Sequence, residues 1–236
     1  GVGVRDSQWC LVQAVDEGGQ LGDRLVRELG GQAEPLTRAV AELRTAAAVD
    51  VDITTDSLVG SVGGVHDTTL VTVTFSRLAP KHRLRAWVGL LALTAAHPDR
   101  PWRAVTVGRG GRDTPTSVST LGPLEPEVAQ KVLADLLALH ADGMLEPLPL
   151  MCRTSEAYAQ ARATKGDIAA MNRARDRWTD RFGSEQDDPA HVLVWGRRRA
   201  LDDLVGPADG DAPSRFAGLA TRLWTPIRET EELAAR

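Results

Sequence analysis

LVGSVGGVHDTTLVTVTFSRLAPKHRLRAWVGLLALTAA, from Leu58 to Ala96, is the stretch whose reading decides the fold. Val59, Val62 and Val65 sit in a run punctuated by Gly60, Gly63 and Gly64, and glycines inside a strand mark bends or close backbone approach. His66-Asp67-Thr68 supplies a turn, after which Leu70, Val71, Val73 and Phe75 give a second strand with Thr72, Thr74 and Ser76 between them. Past Pro80 the period changes. Leu84, Trp87, Val88, Leu91 and Ala95 share one helical face, and Leu90 and Leu93 widen it until little polar surface is left. A helix so apolar has to be buried, so the stretch predicts strands over 58–65 and 70–76 and a helix over 83–96 lying on their sheet.

Outward from this hairpin the chain alternates strands and helices. Val49, Val51 and Ile53 alternate with Asp50, Asp52 and Thr54, a half-buried strand over 49–54 with an acidic outer face. Upstream, Leu21, Leu25, Val26 and Leu29 predict a short helix ended by Gly30-Gly31, and Pro35 to Ala48 predicts a second. Downstream, residues 102–108 predict a strand, Thr114 to Leu121 an edge strand, and Glu125 to His140 an amphipathic packing helix. Pro147 and Pro149 mark a boundary between a core, 1–146, and a helical extension, 147–236. The extension reads as helices over 155–163, 168–182 and 216–227, with Trp178, Phe182, Trp195 and Trp224 as its large anchors.

Composition narrows the class. The chain has 236 residues, 42% hydrophobic and 25% charged, a net charge of −4, and no apolar run approaching a membrane span. It starts at Gly1 without the pattern of a signal peptide, reads as a fragment or processed form, and is expected in the cytoplasm. Cys10 and Cys152 are too few for a disulfide framework and are expected as free thiols. The five histidines show no metal-ligand spacing, so neither metal nor cofactor is expected. Charge is uneven along the chain. Eight basic residues between Arg77 and Arg112 face one acid, Asp99, while the rest holds 20 basic residues against 31 acidic ones, a net −11. Such a block is the footprint of phosphate handling, or equally of a solvated or subunit-pairing face. The glycine- and arginine-rich loop 108–112 lacks the lysine and hydroxyl of a nucleotide-binding P-loop, but its arginines could touch a DNA backbone. Lys81, Arg83, Arg85, Arg109 and Arg112 are the candidate DNA contacts.

The central stretch resembles the RecB-type nucleases of the PD-(D/E)XK class, with their catalytic positions emptied. In that frame Gly63 stands where a metal-binding Asp belongs, Thr74 and Ser76 where a carboxylate and a Lys belong, and Arg83 and Trp87 at the Gln and Tyr positions of the following helix. Together with residues 143–150, 153–158 and 192–196, the pattern resembles the C-terminal domain of RecC, the gamma subunit of exodeoxyribonuclease V (RecBCD). The resemblance implies an α/β fold, a PD-(D/E)XK (RecB nuclease-like) mixed sheet flanked by helices, with a mostly helical C-terminal extension. It implies no catalysis by this domain, a role in subunit assembly and DNA handling in double-strand break repair, and RecB, RecD and DNA as partners. Two other readings stay open: an active nuclease using Asp50, Asp52 or Asp67, or a protein-docking module.

Overall fold

The computed structural model describes residues 19–111, 113–181 and 183–235, and of residues 19–29 the backbone alone. Cys10, Arg112 and Phe182 fall outside it. Strands β1 (Val49–Thr54), β2 (Val59–His66) and β3 (Thr69–Arg77) form an antiparallel meander. The turn between β2 and β3 is Asp67-Thr68, with Asp67 in the left-handed region at φ 55°. Helix α2 (Pro80–Ala96) then carries the chain back, so that β4 (Arg103–Arg109) lies parallel to β3. Next come β5 (Thr116–Leu121), antiparallel to β4, and, from the far end of the chain, β6 (Glu231–Ala235), antiparallel to β5. The six strands form one mixed sheet in sequence order.

Period-two alternation sends neighbouring residues to opposite faces. Val71, Val105, Val107 and Val118 pack under Leu36 and Val40 of the first helix, α1 (Gly19–Ala41). Ile53, Val65, Leu70, Ala104 and Leu121 pack on the other face, against α2. There Trp87 is 1% exposed and Leu90, Leu91 and Leu93 are fully buried; at about 1.5–3 kcal/mol for each such side chain, this helix anchors the core. Gly89 permits its close approach, since a Cβ there would meet Leu70 Cδ2 at 2.7 Å. Helices α3 (Pro126–Leu145), α4 (Cys152–Trp178), α5 (Pro189–Trp195) and α6 (Arg215–Thr230) complete the chain. Ala159, Leu223, Trp224 and Ile227, all beyond Pro147, share the cluster that contains Trp87 and Leu90.

Strands β1 to β4 and helix α2 lie where the sequence places them. Three other elements differ. The two helices expected before the sheet are one, α1, running through Gly30-Gly31 and Pro35 and ending at Ala41. Burial of Leu36 and Val40 outweighs a cost of about 1 kcal/mol per glycine. The expected edge strand β5 is interior, because β6 covers it. Residues 231–235, EELAA, have helical composition yet pair as a strand, held by the interior anchor of Glu231 described below. Helix α4 joins the two helices expected over 155–163 and 168–182, but Gly166 (φ 79°, ψ 175°) interrupts it. Its start is capped from afar: Glu185 accepts from the Arg153 and Thr154 N–H groups at 2.9 and 2.7 Å. Among the described residues no helix is long and apolar enough to cross a membrane.

Candidate nucleic-acid interface

Topology divides the basic block into two groups. Because β3 and β4 run parallel, Arg103 pairs with Thr69 at their amino ends and Arg109 with Arg77 at their carboxyl ends. The two ends lie roughly 20 Å apart at about 3.3 Å per residue. Arg100 stays at the amino end, donating to the Asp67 carbonyl at 3.1 Å and stacked 4.5 Å over the Trp102 ring. Arg77, Lys81, Arg85 and Arg109 gather at the carboxyl end, where β3 hands over to α2. Arg77, Lys81 and Arg85 are exposed and Arg109 is half-buried. Beside them the His82 imidazole is held below its usual pKa, first by burial and then by the Lys81 and Arg85 charges, so it is neutral at pH 7. Its Nε2 lies 3.0 Å from Ser76 Oγ, which lies 2.8 Å from Thr74 Oγ1.

Arg83, expected at the same surface, is turned inside. One helical turn of α2 places Lys81 and Arg85 outward and Arg83 toward the sheet, where it is 7% exposed. Its Nε donates to both Glu231 carboxylate oxygens at 2.7 and 3.0 Å, its Nη2 donates to Glu231 Oε2, and its Nη1 donates to Glu156 Oε1 at 2.9 Å. Ser119 Oγ donates to Glu231 at 2.5 Å, and the guanidinium lies 5.8 Å from the Trp224 ring centre. Burial alone would lower the Arg83 pKa, but the bonds and charge of Glu231, and then of Glu156, outweigh it and hold the group above its ordinary value. A phosphate could reach this guanidinium only by breaking the cluster, so Arg83 joins α2, α4, β5 and β6 instead of touching DNA. Nothing in the local sequence marks this, since Glu156 is 73 residues away and Glu231 is 148.

The remaining positions of the nuclease-like frame are Gly63 on β2, Thr74 and Ser76 on β3, and Trp87 in the core. Gly63 is exposed, and a Cβ on it would meet the Asp50 carboxylate of β1 at 2.8 Å. Asp52 is exposed on β1, its carbonyl 2.8 Å from His97 Nε2, and Asp67 lies in the β2–β3 turn near Arg100. Among the described residues, no three His, Cys, Asp or Glu side chains form a metal-holding group.

Arg109 is braced rather than free. Its Nη1 donates to Gln32 of α1, and its guanidinium lies 5.3 Å from the centre of the Phe75 ring. The sequence named Arg109 but not these supports. Gln32 is 77 residues away, and Phe75 reads simply as a strand residue.

The fold and this surface define a mixed α/β domain in which a meander, a crossover helix and a parallel strand present a group of cations, with Thr74 and Ser76 at the strand positions beside them. The family described as RecC C-terminal domain matches residues 18–163, and the chain belongs to it. It is 39% identical to the RecBCD enzyme subunit RecC of Mycolicibacterium smegmatis over 224 residues, and 39% identical to that of Mycobacterium tuberculosis over 225 residues. Each match covers 90% of this chain and 20% of the relative, so the chain spans about a fifth of the length of the curated relatives it matches.

Proposed function

We propose that this chain is a non-catalytic, nuclease-like part of the RecC subunit of a RecBCD helicase-nuclease, acting in subunit assembly and DNA handling during double-strand break repair and homologous recombination in the cytoplasm. The reading is carried by the set Gly63, Thr74 and Ser76, which the resemblance aligns with the two carboxylates and the lysine of a PD-(D/E)XK site. Metal-assisted phosphodiester cleavage needs carboxylates to hold the ions that activate water, and glycine, threonine and serine cannot do this. The order of elements, helix, three-stranded meander, crossover helix and parallel strand, supports the nuclease-like assignment. The reading divides the chain into a core, 1–146, and an extension, 147–236, and the pairing of β6 with β5 supports an extension that returns to the core sheet. RecB and RecD are the protein partners. DNA meets Lys81, Arg85 and Arg109, and with them Arg112 of the glycine-rich loop sequence, through backbone phosphates, without reading sequence.

The test is made on the full-length protein, alone and with RecB and RecD. No DNA cleavage attributable to this domain is expected with Mg²⁺ or Mn²⁺. Fork and duplex binding should weaken with salt, and the Arg109→Ala/Arg112→Ala protein should bind all sequences less tightly, with a salt slope shallower by about one unit per lost contact. A second reading, an active nuclease with displaced carboxylates, is favoured by one observation, the Asp50 carboxylate lying where a Gly63 side chain would. Cleavage abolished by Asp50→Asn, or by the same change at Asp52 or Asp67, would establish it and overturn the first.

A further inference from the structure

A cleft of about 530 Å³ opens at the carboxyl ends of β3 and β4, walled by Gly31, Gln32, Arg77, Arg109, Gly111 and Thr114. In open α/β sheets the crevice at the carboxyl ends of parallel strands is where ligands bind. Its position follows from an irregularity in β3. Thr74 pairs with Gly108, so regular pairing would set Phe75 opposite Arg109; the register instead shifts by two residues and sets Arg77 there. Gly108 makes room for the segment that follows, since a Cβ on it would meet the Leu78 backbone nitrogen at 3.0 Å. Bulges of this kind re-aim side chains beside functional sites.

The result is two arginines opposed on neighbouring strands, an arrangement that is unfavourable when no counter-charge is present. The Arg77 side chain makes no hydrogen bond or ion pair among the described residues. Arg109 uses only Nη1, toward Gln32, which leaves the Nε and Nη2 donors that grip an oxyanion in bidentate fashion without a partner among the described residues. The Phe75 face and Gln32 fix that guanidinium in advance, so little side-chain entropy is lost on binding. One acid, Asp113, also lines the cleft, and it forms no ion pair with either arginine among the described residues.

We propose that this cleft is a phosphate-binding site in which Arg77 and Arg109 clamp one phosphate group from two sides. The chemistry stands on the paired arginines. The assignment of that phosphate to a DNA backbone rests on the function proposed above, and a free phosphate-bearing small molecule is the other source of the same group.

The experiment is hydrogen–deuterium exchange on the full-length protein, reading peptides that span 108–118 and, separately, 80–86. The probes are inorganic pyrophosphate and a short single-stranded oligonucleotide. Both should slow exchange in 108–118, with the apparent affinity about tenfold lower in Arg77→Ala and lower still in Arg77→Glu. Arg109→Lys, which keeps charge but loses the two-pronged edge, should fall between the parent and Arg77→Glu. Protection by pyrophosphate but not by oligonucleotide would uphold the clamp and remove DNA from this surface. Oligonucleotide protection at 80–86 alone would uphold DNA handling and overturn the clamp. The clamp is also overturned if neither probe protects 108–118, or if protection there is equal in the parent and Arg77→Glu.

Discussion

Replacing Glu231 with leucine tests what joins the two halves of the chain. The Glu231 side chain is 2% exposed and accepts three bonds from Arg83 and one from Ser119. Without it Arg83 keeps a single partner, Glu156, whose side chain is 14% exposed. Breaking one side of a buried ion pair costs about 3–5 kcal/mol, and the surviving Glu156 contact places Glu231→Leu near the lower end, about 3 kcal/mol. Arg83→Met strands the more deeply buried partner and should cost about 4 kcal/mol by the same reasoning. The double replacement removes charge from both sides and should cost no more than either single change, a coupling of about 4 kcal/mol or more. The measurement is a double-mutant cycle by urea unfolding followed by circular dichroism. Single replacements each costing under about 1 kcal/mol, or a double equal to the sum of the singles within about 0.5 kcal/mol, would refute the claim that this cluster ties α2 to β6.

Three further outcomes follow from the same structure. Gly63→Asp sets a carboxylate against Asp50 on the neighbouring strand, so it should destabilise the chain by about 0.2–1 kcal/mol at neutral pH, with Asp50→Asn relieving part of the loss in urea titrations. The Asp167 carboxyl is held below its usual range by the Tyr158 hydroxyl and then by Arg162; its contribution is present above the unfolded carboxylate pKa of about 3.9 and is lost as pH falls through the depressed folded value. Near-ultraviolet absorbance of Tyr158, the chain's one tyrosine, should report that acid step, and Asp167→Asn should abolish it. The Cys152 thiol is pushed up to about 11, by burial and then by the Glu185 and Glu156 charges, so in a Cys10→Ser chain its alkylation at pH 8 should be far slower folded than in urea.

How much could be read from the sequence depends on how local each determinant is. The glycine-punctuated hairpin and the apolar run from Leu84 to Leu93 declare themselves within a few residues, because a period of two or of 3.6 is a short-range property. Trp87 and Leu91 are accordingly in the core, 1% and 0% exposed. Arg83 could not be placed in this way. Its neighbours Lys81 and Arg85 are solvent-facing cations of the same type, and only a carboxylate from the far end of the chain separates it from them. The strand 231–235 was hidden for the same reason, since Glu-Glu-Leu-Ala-Ala favours helix and pairing with β5 overrides that preference. The cleft was half legible. Arg109 stood out in its glycine-rich loop, whereas Arg77 gained its importance from a register shift that no periodicity announces.

The return of β6 also orders events in time. Ser119 and Glu231 are joined across 112 residues of chain. At synthesis rates of about 5–20 residues per second, the ribosome needs roughly 6–22 s to span that gap. Throughout that interval β5 presents an open row of N–H and C=O groups, the kind of border onto which foreign strands add. A nascent chain whose first five strands pair as they emerge would carry that border until residue 231 appears, and chaperone contact with 116–121 would be of most use before then.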